Sequence, residues 1–148
     1  MRIVRLQWTA LPSSNASSGP QFAVRNTVPF ADPADYKILR NDWPYGYDDP
    51  GITHIIVWLK NRLESEPTRG DMTPKSRLQV EDFVQKTFVN RVKGLPGHEE
   101  KVMWFRNWTA LQSIPGIEHI HIFVRDVPAA IIEEWTGSDI PIGSQIEK

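Results

Sequence analysis

The clearest pattern in the chain lies between positions 74 and 92, where Val80, Phe83, Val84, Phe88 and Val92 recur at three- and four-residue spacing. That spacing lays one apolar stripe along an α-helix. Thr73 offers an N-cap oxygen and Pro74 suits the first helical position. Lys93-Gly94 predicts the stop, with a left-handed cap at the glycine. Asp82 and Lys86 sit one turn apart on the polar side, placed to pair. A shorter helix is expected from about Pro128 to Trp135, halted at Gly137.

Elsewhere the period is two. From Glu118 to Arg125, Ile120, Ile122 and Val124 fall on one face and His119, His121, Phe123 and Arg125 on the other. Burying the isoleucine–valine face fixes the register. Further strands are expected over Met1–Trp8, Tyr36–Arg40, His54–Leu59 and Val102–Arg106. The Pro- and Gly-rich stretch from Asn41 to Gly51 makes the second and third of these a hairpin with a long loop. The small residues of Leu11–Pro20 read as a flexible loop, and the tail from Ser138 as loose. The sum is an α+β fold, an antiparallel sheet with helices on one face, in a single domain over residues 1–148.

Composition narrows the function classes. A chain of 148 residues can bury a real core. Lys plus Arg is 17 and Asp plus Glu is 18, a net charge of −1 that gives no global pull toward nucleic acid or an anionic membrane. The absence of cysteine removes disulfides, thiolate metal sites and cysteine nucleophiles together. No signal-peptide core and no span-length apolar run is visible, so the cytoplasm is expected. Six tryptophans either fill a small core or line an aromatic cleft.

The candidate chemistry centres on His119 and His121, whose backbones lie about 6.6 Å apart along one face of a regular strand. Both can then reach one small ligand. Three readings follow. The two imidazoles are ordinary residues of a half-exposed sheet. Or they bind a metal, which needs a third ligand from His54, Glu118 or the loop aspartates, although Glu118 falls on the opposite face. Or they perform acid–base or nucleophilic chemistry. Arg125 shares their face and leads Arg106 as an anion partner. His54 either fixes its hairpin or lines the site. The loop bearing Asp42, Trp43 and Tyr45 can roof a pocket, and Asn107 either orients an imidazole or closes a turn.

Three Trp-bearing segments, residues 29–46, 51–58 and 104–121, resemble the mainly fungal family labelled N-acetylglucosamine-induced protein 1-like, over roughly residues 29 to 137. Members of that family usually carry a longer helical leader than the strand-like start seen here. The order of motifs also resembles, more distantly, the histidine-triad (HIT) superfamily. Asp42 precedes Pro44, His54 precedes Ile55-Ile56-Val57, and Asn107 and His119-Ile-His121 follow the long helix. That resemblance implies a HIT-like fold, pairing into a homodimer, His121 as the group that attacks phosphorus, and Asp42 on sugar hydroxyls. Two departures stand out. Phe123 occupies the place of the third histidine, and the connection holding Gln112 lacks the glycines of a phosphate cradle.

The expected function is a small-molecule enzyme of fungal metabolism. His121, His119 and Asn107 are its catalytic candidates. Asp42, Trp43, Tyr45, His54, Trp104, Arg106, Gln112, Phe123 and Arg125 surround the substrate. Hydrolysis, elimination, isomerisation or cyclisation is expected, with no cofactor, no bound metal and neither nucleic acid nor membrane as partner. The alternatives are a HIT-type nucleotide hydrolase or transferase and a non-catalytic ligand-binding domain.

Overall fold

The structure, a computed structural model, describes residues 8–12, 21–40, 51–67, 71–97, 100–106 and 116–137. The expected first strand (save Trp8), most of the Ser-rich loop, the 41–50 loop, Asn107 through Gln112 and the tail lie outside them. Four strands, β1 (Tyr36–Arg40), β2 (Ile52–Leu59), β3 (Val102–Phe105) and β4 (Glu118–Arg125), form one antiparallel sheet in the order β1-β2-β4-β3. In β4 the alternation holds as expected: Glu118, Ile120, Ile122 and Val124 are buried, while His119 and His121 are half-buried and Arg125 is exposed. Phe123 is also buried, although it belongs to the histidine face. Val102 pairs with Val124, Met103 with Phe123, Trp104 with Ile122 and Phe105 with His121. Directly opposed residues share a face, so Met103 and Phe105 join the histidine side and Trp104 the core side.

The long helix forms where its stripe predicts, and every stripe residue is buried. Helix α1 (Pro74–Val84) runs into a π-helical turn, Gln85–Val89, and a last turn, α2 (Asn90–Val92). The hydroxyl of Thr73 accepts from the Ser76 N–H at 3.2 Å, the expected cap. Lys86 and Asp82 pair at 2.9 Å. The expected left-handed cap at Gly94 is not formed. The Leu95 N–H instead bonds the Val92 carbonyl in a tight turn, and the left-handed glycine comes later, at Gly97 (φ 69°). The turn has already satisfied an end carbonyl, so the chain has no need to reverse at Gly94. Helix α3 (Ala129–Thr136) ends at Gly137 (φ 63°), whose N–H caps the Glu133 carbonyl at 2.7 Å.

The chain divides into two compact units. One comprises Met1–Lys37, Trp58–Glu81 and Asn107–His119; the other comprises Ile38–Val57, Asp82–Arg106 and Ile120–Lys148. In the first, the Glu118 carboxylate accepts from the Leu63 N–H at 3.0 Å, and the buried Asp35 carboxylate accepts from the Arg25 and Asn26 N–H groups. In the second, the Phe88 and Trp135 rings meet edge to face at 4.8 Å. A π turn shifts its hydrogen-bond ladder by one residue, and the indole N–H of Trp135 donates to the Thr87 carbonyl in that turn at 3.1 Å. Lys101 is buried and its ammonium donates to the carbonyls of Arg125 and Asp126, both at 3.2 Å, fixing the end of β4. Among the described residues, no helix is long and apolar enough to cross a membrane.

Arg91 and Glu134 join α2 to α3 through a 2.7 Å ion pair. The hydrogen bond from Arg91, aided by its charge, holds the Glu134 carboxyl below its ordinary value. A carboxyl depressed on folding adds stability above its unfolded pKa and loses it as pH falls through the lower folded value. Both groups are exposed to solvent, which screens them. Glu134→Gln should therefore lower the melting temperature slightly at neutral pH and low salt. The difference should vanish in strong acid or at high salt, as read by thermal unfolding.

Candidate functional site

Strand β2 is a nearly continuous apolar run, and its fourth residue is already in the deep core: Ile55 and Val57 are fully buried. His54 begins that buried run, at 9% exposure. Burying an imidazole costs free energy unless its polar nitrogens are partnered. The partner is on the neighbouring strand. Nε2 of His54 lies 2.9 Å from Nδ1 of His121, a side chain 67 residues further along the chain. An N···N hydrogen bond requires one ring to donate and the other to accept, so at least one of the two imidazoles is neutral while the bond stands. The nitrogens on the far sides of the pair, Nδ1 of His54 and Nε2 of His121, are both buried.

Aromatic rings hold this pair in place. The ring of Phe105 stacks on His121 at 4.6 Å with only 8° between planes. It is also near parallel to Phe123, at 5.6 Å and 13°. Phe123 in turn stacks on His54 at 4.4 Å and 17°. The cross-strand register produces this arrangement by setting Phe105 opposite His121 and Met103 opposite Phe123. Phe123 is thus a wall of the histidine pair. A third histidine there would be polar where the stack is apolar.

His119 has a different setting. Its Nδ1 is 2.8 Å from the Ile117 carbonyl, and its ring packs at 4.7 Å against Trp58. A carbonyl accepts, so Nδ1 of His119 carries the proton of that bond and Nε2 is left as its other nitrogen. Among the hydrogen bonds described, the partner of the His121 ring is His54, while His119 keeps its expected place on the same face of β4.

The other expected site residues separate by register. Arg125 is exposed at the end of β4, and its N–H donates to the Lys101 carbonyl at 2.9 Å. Trp104 shares the core side with Ile122, opposite to Phe105. Arg106 lies one residue beyond β3 and is half-buried. Asp42, Trp43, Tyr45, Asn107 and Gln112 lie outside the described residues. Among the described residues, no cluster of three His, Asp or Glu side chains is placed to hold a metal ion. Sequence reasoning missed Phe105 and Met103 as site neighbours. Their signal was the β3–β4 pairing register, which a sequence does not print.

Residues 1–125 match a family model described as "Protein of unknown function (DUF3605)". N-acetylglucosamine-induced protein 1 of Candida albicans (strain SC5314) is 35% identical over 107 residues, which cover 71% of this chain and 40% of that protein. "Uncharacterized protein YPL067C" of Saccharomyces cerevisiae is 29% identical over 105 residues, covering 71% of this chain and 51% of that one. The chain therefore spans about half, or less, of the length of these curated relatives. The crystal structure of HTC1 superposes with a TM-score of 0.59 over 98% of this chain and 70% of its own, at 23% identity. That likeness is one of fold.

Proposed function

This chain belongs to the DUF3605 family of proteins of unknown function, and from its histidine pair we propose that it is an enzyme acting on a small molecule in the cytoplasm, with His121 as general base or nucleophile and His54 as the residue that positions it. The observation that carries the reading is the 2.9 Å contact between Nε2 of His54 and Nδ1 of His121. Only one proton arrangement arms the site. If Nδ1–H of His121 donates to His54, the lone pair of His121 is on its buried Nε2, the nitrogen this reading assigns to take a proton or attack an electrophile. As Nε2 bonds to a proton or to an acyl or phosphoryl centre, positive charge develops on the His121 ring. His54 accepts the Nδ1–H bond that this charge strengthens, the role a carboxylate plays in a Ser-His-Asp triad. A neutral imidazole supplies less charge than a carboxylate but is tolerated in a more apolar wall, here Phe123 and Phe105.

Hydrolysis, elimination, isomerisation and cyclisation all need such a base. Phosphoester or nucleotide chemistry of the histidine-triad kind needs in addition a donor to the leaving group, and Phe123 supplies none. The acid–base reading is therefore preferred over the nucleotidyl one.

The test is a turnover screen of the purified chain against an activated ester, a phosphoramidate, a phosphodiester and a carbon acid followed by deuterium exchange. His54→Phe keeps a flat ring against Phe123 and removes the acceptor. It should lower kcat by about 100-fold with little change in KM. His54→Gln, whose side-chain carbonyl can still accept from His121, should recover part of that loss. Equal turnover in wild type and His54→Phe would remove His54 from the mechanism.

A further inference from the structure

We propose that Met103 and Phe105 form a specificity platform beside His121, and that the substrate carries a flat aromatic or heteroaromatic ring that lies on it. The proposal rests on reading His121 as the reacting group. Met103 is 62% exposed and Phe105 38% exposed. They are not frayed ends, because Val102 and Trp104, which alternate with them, are half-buried on the other side of the same paired strand. Strand β3 lies at the edge of the sheet among the described strands. Edge strands usually carry charge on their open side, whereas this one presents a methionine and a phenylalanine.

Single exposed apolar residues are ordinary. These two differ in what they adjoin. Phe105 lies parallel to the His121 ring at 4.6 Å, and Met103 is set opposite Phe123, which is itself stacked on His54. Phe105 thus lies near parallel to both His121 and Phe123 of β4, with His54 of β2 stacked on Phe123 and tilted 33° from His121, and the exposed member of this cluster is Phe105 with Met103 beside it. An aromatic ligand extends a parallel-offset stack at favourable geometry, while the flexible thioether of Met103 adapts to its outline. A sugar or a short aliphatic chain gains nothing from the alignment of the rings. A second protein copy is a poor occupant, because two partly exposed side chains fall well short of the about 800 Å² per partner that a stable interface buries.

The experiment uses the full chain labelled with [methyl-13C]methionine. The chain has three methionines, and Met72, which is buried, reports folding. Indole and phenol should move the Met103 methyl resonance upfield by ring current and leave Met72 still. Cyclohexanol and glucose should not. Phe105→Ala should weaken indole binding at least tenfold while Phe105→Trp retains it, and His121→Phe, which keeps a flat ring against Phe105 and removes the reacting nitrogen, should bind indole within about threefold of wild type. Cyclohexanol acting as strongly as indole, or no probe moving Met103, would overturn the platform. So would a Met103 resonance that depends on protein concentration and a dimer that Met103→Lys dissociates, which would assign the patch to a second copy. The two readings fail separately. Turnover unchanged in His121→Phe with indole still bound removes the catalytic role alone, and a dead His121→Phe enzyme whose wild type ignores indole removes the platform alone.

Discussion

His121→Ala is expected to lower turnover about 10³- to 10⁴-fold, to the level of the uncatalysed reaction within error, whichever bond class the screen selects. The reason is geometric. His121 is the member of the pair that stacks on the partly exposed Phe105, and its Nδ1 is bonded to His54. The substitution removes both the reacting nitrogen and the ring on which Phe105 stacks. The space left is the size of an imidazole, so added imidazole should restore a measurable part of the rate, with a rate proportional to its concentration. His119→Ala supplies the contrast. That ring is held by Trp58 and the Ile117 carbonyl, and its loss should cost less than about tenfold, in line with a supporting role. Equal losses at the two positions, or no imidazole rescue in His121→Ala, would return the chemistry to the pair of neighbours along β4.

The α+β class, the long helix and the faces of β4 were legible because each rests on one local rule. The alternation of Ile120, Ile122 and Val124 placed β4's faces correctly, and the spacing of Val80 to Val92 placed the helix stripe. The partnership of His121 was not legible in that way. A strand's own alternation says which residues share a face; it says nothing of which neighbouring strand lies alongside or at what offset. His119 is two residues from His121, so sequence proximity nominated it, whereas the sheet order β1-β2-β4-β3 brings in His54 from 67 residues away. The same limit hid Phe105. The cap at Gly94 failed for a related reason: a lysine–glycine pair marks the end of a helix well, but how the last carbonyls are satisfied depends on where the chain goes next. From the sequence, Phe123 was read only as a departure from a histidine-triad pattern. Its role as the wall between β4 and His54 needed the stack.

Asp35→Asn should destabilise the fold by about 3 kcal/mol and lower the melting temperature by about 10 °C for a chain of this length. Nothing in the sequence singles it out, because an aspartate after Pro33-Ala34 is an ordinary turn residue. Asp35 is 1% exposed, and its carboxylate accepts from the Arg25 N–H at 2.8 and 3.0 Å and from the Asn26 N–H at 2.9 Å. Its backbone adds two more ties, donating to the Asp32 carbonyl at 2.9 Å and accepting from the Lys60 N–H at 2.8 Å. One residue thus holds the segment around 25 and 26, its own turn and the end of β2 together. Bonds from neutral N–H groups to a carboxylate are about twice as strong as those to a neutral oxygen. Asparagine keeps one acceptor oxygen and turns an NH2 toward backbone donors, so it is not a mild replacement. Asp32→Ala is the proper control. Asp32 also bonds a backbone N–H, that of Ala34 at 2.9 Å, but at an exposed turn, and its loss should cost only about 1 kcal/mol. Thermal and urea unfolding read both. If Asp35→Asn melts with Asp32→Ala rather than well below it, the buried carboxylate is not what joins these segments, and the stability of this part of the fold must come from the apolar contacts of Phe22, Leu63 and Met72 instead.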